Sequence, residues 1–227
     1  MSLFVEIVKF NSQTNGRDKL FRLIQYFSRF CSYHSQDSMA VKMSNLEQAM
    51  SSTRKALRLG KTLDFLLATK KSLKLSDPLH KITITASKIS LAVYMLADHV
   101  TWFAKLGLIK TDTTKWSHRA FKFWLLSIIF NLVRDLYELC NIYINERHRK
   151  KTPNTSNSGV STFKRALKRH PEVAVDFLKN SADVVIPLSA LGYCKCANKG
   201  ITGLLGVISS LSAICAIVAP SLKLSPA

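Results

Sequence analysis

Apolar residues recur along this chain every three or four positions, and no segment alternates apolar with polar residues long enough to predict a strand. The pattern predicts an all-α protein. Its clearest helix is RDKLFRLIQYFSRFCSYH, residues 17–34. There Leu20, Leu23, Ile24, Phe27, Phe30 and Cys31 share one side, and Arg22, Gln25 and Arg29 lie across from them. Thr14, Asn15 and Gly16 before it supply turn and cap chemistry. Two further helices are predicted over residues 41–60 and 61–75. In the third, Leu63, Leu66, Leu67 and Leu73 form one broad face. Lys61 and Lys71 lie away from it, while Lys70 and Lys74 sit at its edge, where long stems snorkel. Asp77-Pro78 ends the segment.

Residues 82–109 are apolar but carry Lys88, Asp98, His99 and Lys105, and residues 121–144 form an aromatic-rich helix holding FWLLSIIFNLV and then the pair Arg134-Asp135. The polar stretch ERHRKKTPNTSNSGVST follows and is the strongest boundary in the chain. Four regions result: amphipathic helices over 1–81, an apolar and aromatic helical region over 82–146, a linker over 147–162, and C-terminal helices with an anchor over 163–227. The last region begins with a short basic helix at 163–170, a helix opened by Pro171 and running to about residue 185, and a turn at Pro187.

The anchor is the run GITGLLGVISSLSAICAIVA, residues 200–219, which carries no charge. Twenty helical residues at ~1.5 Å each cover ~30 Å, the thickness of a bilayer core. Lys195 and Lys199 bound it on one side and Lys223 on the other. The fold class is therefore a membrane-associated helical protein with amphipathic N-terminal helices and a C-terminal transmembrane helix. Gly203, Gly206, Ser210 and Ala213 share one face of that helix. They either allow close helix packing or reflect how common glycine is in membrane helices. A second span over residues 82–109 stays open. A central Asp costs ~2.5–3.5 kcal/mol on insertion scales against ~0.3–0.6 gained per Leu, Ile or Val, so Asp98 offsets about six good residues. Spanning requires Asp98 neutral or paired, with Arg119, Lys122 and Arg134 as candidate bases. The alternatives are a helix buried in protein or lying on the membrane.

Charge sharpens this picture. The formal net charge is +19, which favours anionic partners, and the apolar anchor turns the choice from nucleic acid toward an acidic lipid surface. Aromatics interleaved with bases at residues 17–29 and 115–124 fall mostly on the apolar faces, so no nucleic-acid partner is expected. The first ten residues place Glu6 and Lys9 where a signal peptide needs an apolar centre. The last three, Ser225-Pro226-Ala227, are not the Ser-Lys-Leu address. Five cysteines without framework spacing read as free thiols. Cys194-x-Cys196 has no partner pair for zinc, and no phosphate-binding glycine loop or nucleophile elbow is present. Neither an enzyme nor a metal or cofactor is expected.

The segment QTNGRDKLFRLIQYFSRF resembles the opening of the peroxin-11 family, and KALRLGKTLD, LAVYMLADHVTWFAKLGL, KWSHRAFKFWLLSIIFNLVRDLYEL and LKNSADVVIPLSALGY with GITGLLGVISS are similar to successive family blocks in family order. The resemblance implies an integral protein of the peroxisomal membrane with its N-terminal region, and in most accounts its C-terminus, in the cytosol. It implies insertion by a peroxisomal membrane-protein import receptor, self-association into homo-oligomers, and recruitment of dynamin-type fission machinery with its membrane adaptor. It also implies an amphipathic helix that inserts into one leaflet and tubulates it. That helix should be the Arg54 to Lys74 region. Its bases Arg54, Lys55, Arg58, Lys61, Lys70, Lys71 and Lys74 would hold it to acidic phospholipid, at ~1 kcal/mol each. Leu63, Leu66, Leu67 and Leu73 would be the wedge, reaching ~5–10 Å into the headgroup boundary. The competing reading of the same stretch is a bundle helix whose leucines pack inward, and Gly60 weakens a continuous helix by ~1 kcal/mol in either case. The function expected is remodelling of the peroxisomal membrane before fission; the alternative is a pore for small metabolites, an activity also proposed for the family.

Overall fold

Helical periodicity governs the structure, a computed structural model that describes residues 3–148 and 159–224. Among the described residues there are nine helices and no strand: α1 (Leu3–Ser12), α2 (Thr14–His34), α3 (Asp37–Leu57), α4 (Lys61–Ser72), α5 (Pro78–Lys105), α6 (Thr113–His148), α7 (Gly159–Arg169), α8 (Pro171–Ala190) and α9 (Lys199–Val218). Most of the polar linker, and the C-terminal tripeptide, lie outside the described residues.

Local chemistry accounts for the breaks. Asp77 caps α5 by accepting hydrogen bonds from the Leu79 and His80 amides at 2.8 and 3.2 Å, and Pro78 occupies the first turn, where no amide partner is needed. Asp112 does the same before α6, and the Lys115 and Thr114 amides pull its carboxyl below the usual range. Gly60 separates α3 from α4 with φ +83°, a left-handed conformation that costs other residues ~1–2 kcal/mol. The predicted turn at Pro187 is corrected: Pro187 sits buried inside α8, and the chain turns only at Leu191-Gly192, where Gly192 has φ +79°. Thr14-Asn15-Gly16 is also not a turn before the helix but its first turn, with Gly16 tight against the Phe10 carbonyl of α1.

The helices form a ring. α9 packs on α2 and α8, α8 on α6, α6 on α5, and α5 on α4, while α3 lies on α2 and reaches α5 to close the circuit. The tightest join is α2 against α9, which run antiparallel. A Cβ at Gly200 would press on the Tyr33 ring, one at Gly203 would lie 2.7 Å from the Phe30 amide nitrogen, and one at Gly206 would overlap the Tyr26 ring. Gly203, Gly206, Ser210 and Ala213 are all buried, and at Gly203 and Gly206 the small-residue face is filled by the chain's own α2.

The helices are turned with their polar faces inward. In α2 the buried residues include Asp18, Arg22, Gln25 and Ser28, whereas Phe27 is 55% exposed. The same holds in α5, where Ser87, Ser90, Asp98 and Thr101 are buried and Ile82, Ile89 and Leu96 are exposed. α6 buries Ser127 and Asp135 and exposes Ile129, Val133 and Leu136. Among the described residues, buried polar side chains outnumber buried apolar ones. This reverses the pattern of a protein in water and suits an apolar solvent.

Gly206→Leu is expected to drive α9 off α2 at a cost of about 1–3 kcal/mol or more. A lower thermal unfolding midpoint of the purified protein in detergent will show it. Leu204→Ala, on the exposed side of α9, should leave that midpoint unchanged.

Candidate functional site: a charged interior and an exposed leucine face

The inward polar faces surround a cavity of about 1540 Å³ lined from α2, α3, α5, α6, α8 and α9. Ion pairs join the helices across it. Arg22 of α2 pairs with Asp183 of α8, with both side chains almost fully buried. Arg54 of α3 donates to Asp18 at 3.2 Å and to Gln25 at 2.6 Å, tying α3 to α2. Arg134 of α6 binds Asp176 of α8 and its own neighbour Asp135, and Asn180 of α8 donates to Asp135 at 2.6 Å. Ser87 and Ser127 meet at 2.9 Å between α5 and α6.

Asp98 is resolved here. It is paired as the sequence required, but with Lys55 at 2.7 Å and Arg58 at 3.2 Å, not with Arg119, Lys122 or Arg134. The reason is topological: α3 folds back along α2 and brings its C-terminal bases to α5. Arg58 also reaches Asp18 at 3.7 Å and the Tyr94 hydroxyl at 3.3 Å.

These contacts divide the expected membrane-inserting stretch. Arg54, Lys55 and Arg58 were expected to hold it on lipid headgroups; the structure turns all three into the interior, where carboxylates take them up. Lys61 is half-buried and donates to Asn15 at 2.6 Å. Beyond Gly60 the picture changes. Leu63, Leu66, Leu67 and Leu73 are 69%, 51%, 58% and 50% exposed, against the reading that they pack inward. Lys70, Lys71 and Lys74 are exposed beside them. α4 is held from the opposite side, where Ser72 and Thr85 of α5 hydrogen-bond at 2.8 Å and Phe65 lies under the Lys88 ammonium at 5.9 Å.

Sequence reasoning missed the interior residues Asp18, Arg22, Gln25, Arg134, Asp135, Asp176, Asn180 and Asp183. The signal was present: Asp18, Arg22 and Gln25 fall at i, i+4 and i+7, as do Asp176, Asn180 and Asp183. Each set marks one helical stripe, and Arg22 of the first meets Asp183 of the second. Cys194 and Cys196 place their sulfurs 3.1 Å apart in the α8–α9 connection, and no group of three or more His, Cys, Asp or Glu able to hold a metal occurs among the described residues.

Polar interior, apolar exterior and one helix, Lys199–Val218, long and apolar enough to cross a membrane define a helical membrane protein. Family comparison makes this specific. The family model of peroxisomal biogenesis factor 11 (PEX11) matches residues 4–218, and the chain belongs to that family. It is 32% identical to the human peroxisomal membrane protein 11B over 96% of this chain and 98% of that protein. It is 31% identical to the bovine peroxisomal membrane protein 11A, over 96% and 97%. A Dictyostelium discoideum homologue is 25% identical over 90% of each chain. No solved structure matches. Membership assigns the chain a role in peroxisome biogenesis, at the peroxisomal membrane for which its relatives are named.

Asp98→Asn should leave Lys55 and Arg58 buried without their shared carboxylate and cost about 3–5 kcal/mol. Denaturant unfolding in detergent is the measurement, and adding Arg58→Gln to the same chain should recover part of the loss.

Proposed function

We propose that the protein elongates and tubulates the peroxisomal membrane ahead of fission, with α4 as the element that enters one leaflet. The observation carrying this reading is the unopposed face of α4. Leu63, Leu66, Leu67 and Lys70 follow i, i+3, i+4 and i+7 on α4, and Lys74 lies in the turn just beyond it, so a leucine surface runs into a basic edge. Burying the exposed half to two-thirds of each leucine gains about 1–2 kcal/mol, and each lysine adds about 1 kcal/mol at an acidic surface. Area added to a single leaflet favours curvature. The anchoring bases are Lys70, Lys71 and Lys74 alone, because Arg54, Lys55 and Arg58 are committed elsewhere. Self-association and recruitment of the dynamin-type machinery and its adaptor rest on the family resemblance.

A second reading is a conduit for small metabolites, and the polar cavity inside an apolar ring favours it. The reading requires that the cavity open to both sides of the membrane.

Full-length protein reconstituted into liposomes with acidic phospholipid should draw tubules visible by electron microscopy. Leu66→Glu with Leu67→Glu should abolish them while the protein still inserts; equal tubulation by that variant would remove α4 from the mechanism. For the conduit, the wild-type chain should pass current in planar bilayers, and the same pair of substitutions should leave that current intact. A silent bilayer would rule the conduit out.

A further inference from the structure

The cavity wall holds more positive than negative charge. Fourteen lysines and arginines line it against six aspartates and glutamates. The interior carboxylates are already shared, since Asp18 serves Arg54 and Arg58, Asp98 serves Lys55 and Arg58, and Asp176 serves Arg134 and Lys179. Lys9, Lys105, Lys199 and Lys223 lie exposed at the cavity rim, and of the half-buried lining lysines two remain poorly satisfied. Lys19 of α2 reaches Asp18 only at 4.0 Å. Lys88 of α5 has no hydrogen bond or ion pair among the described residues; its ammonium lies over the Phe65 ring at 5.9 Å. Its charged neighbours are mainly cations, Arg134, Lys179 and Lys223, and the opposing charge is Asp176, which Arg134 and Lys179 already occupy.

Such a surplus is costly. Inside the ring, where screening is weaker than at an open surface, cations that share too few carboxylates repel one another. An anion from outside the chain relieves this. A multivalent one does so best, because attraction scales with its charge and several oxygens accept from ammonium and guanidinium groups on different walls. The lining supplies such donors from opposite sides of the ring: Lys19 on α2, Lys88 on α5 and Lys179 on α8. The cavity has ample room for a phosphate group and the larger molecule that bears it.

We propose that the cavity is a binding site for a phosphate-bearing anion, held by Lys19 and Lys88 with Lys179 and the interior arginines around it. The same chemistry is carried by a soluble phosphate compound entering the cavity and by a phospholipid headgroup drawn in from the side. The site rests on the cavity alone and is independent of leaflet insertion by α4 and of conduction.

The test uses the full-length protein purified in detergent, with inorganic pyrophosphate as the soluble probe and phosphatidic acid in mixed micelles as the lipid probe. Pyrophosphate should raise the thermal unfolding midpoint and give a saturable isotherm by titration calorimetry. Lys19→Gln with Lys88→Gln should weaken binding at least tenfold, Lys88→Arg alone should retain it, and exposed Lys42→Gln should leave it unchanged. Without any anion, Lys88→Gln should keep or raise the midpoint, because it removes an unpaired charge. A response to phosphatidic acid alone, seen by native mass spectrometry and lost in the double variant, assigns the site to a headgroup. If neither probe binds, or if binding ignores Lys19 and Lys88, the proposal is overturned.

Discussion

Arg22 and Asp183 meet inside the ring with almost no exposed side-chain surface, and the architecture depends on pairs of this kind. A charge taken out of water must find an opposite charge or hydrogen-bond partners. Beside pairs within one helix, the partners that join the ring come from another helix: α8 for α2, α2 for α3, α3 for α5, and α8 for α6. Each pair fixes the rotation of two helices about their axes. Once the polar stripes face one another, Phe27, Leu96, Val133 and Leu204 can only point outward. Such an exterior suits an apolar solvent better than water.

That inversion explains which parts of the fold were legible in the sequence. Periodicity reports that a helix is amphipathic, and in residues 17–34 it separated the two faces correctly. It does not report which face meets the interior. The usual assumption, apolar inward, holds for a protein in water and fails for α2, where Asp18, Arg22 and Gln25 are the buried set. The uncharged run at residues 200–219 was readable because composition alone sets its preference. Pro187 misled because a proline near a helix end resembles a stop; the chain beyond it stays helical as far as the glycine that provides the left-handed turn.

The candidate site was legible in the same uneven way. The leucine face of α4 followed directly from spacing, since it is a property of one helix. The fate of Arg54, Lys55 and Arg58 did not, because it depends on where Asp18 and Asp98, 36 and 40 positions from Arg54 and Arg58, arrive in space. Both sets of bases look alike in sequence. Their separation comes from Gly60, whose left-handed conformation turns the chain between them.

Gly60 therefore separates α3, which helps to hold the ring, from α4, whose leucine face is left open. On its N-terminal side, Arg58 ties the end of α3 to α2 and α5 through Asp18 and Asp98. On its C-terminal side, α4 is attached to α5 along one flank and is unopposed on the other. A continuous helix through residue 60 would carry the rotation set by Arg54 and Arg58 into Leu63, Leu66 and Leu67, and the leucine face would be fixed by the interior ion pairs. The break removes that constraint. It lets α3 satisfy buried carboxylates while α4 orients its apolar side by contact with α5, so a charged interior and an exposed apolar surface coexist within twenty residues of sequence.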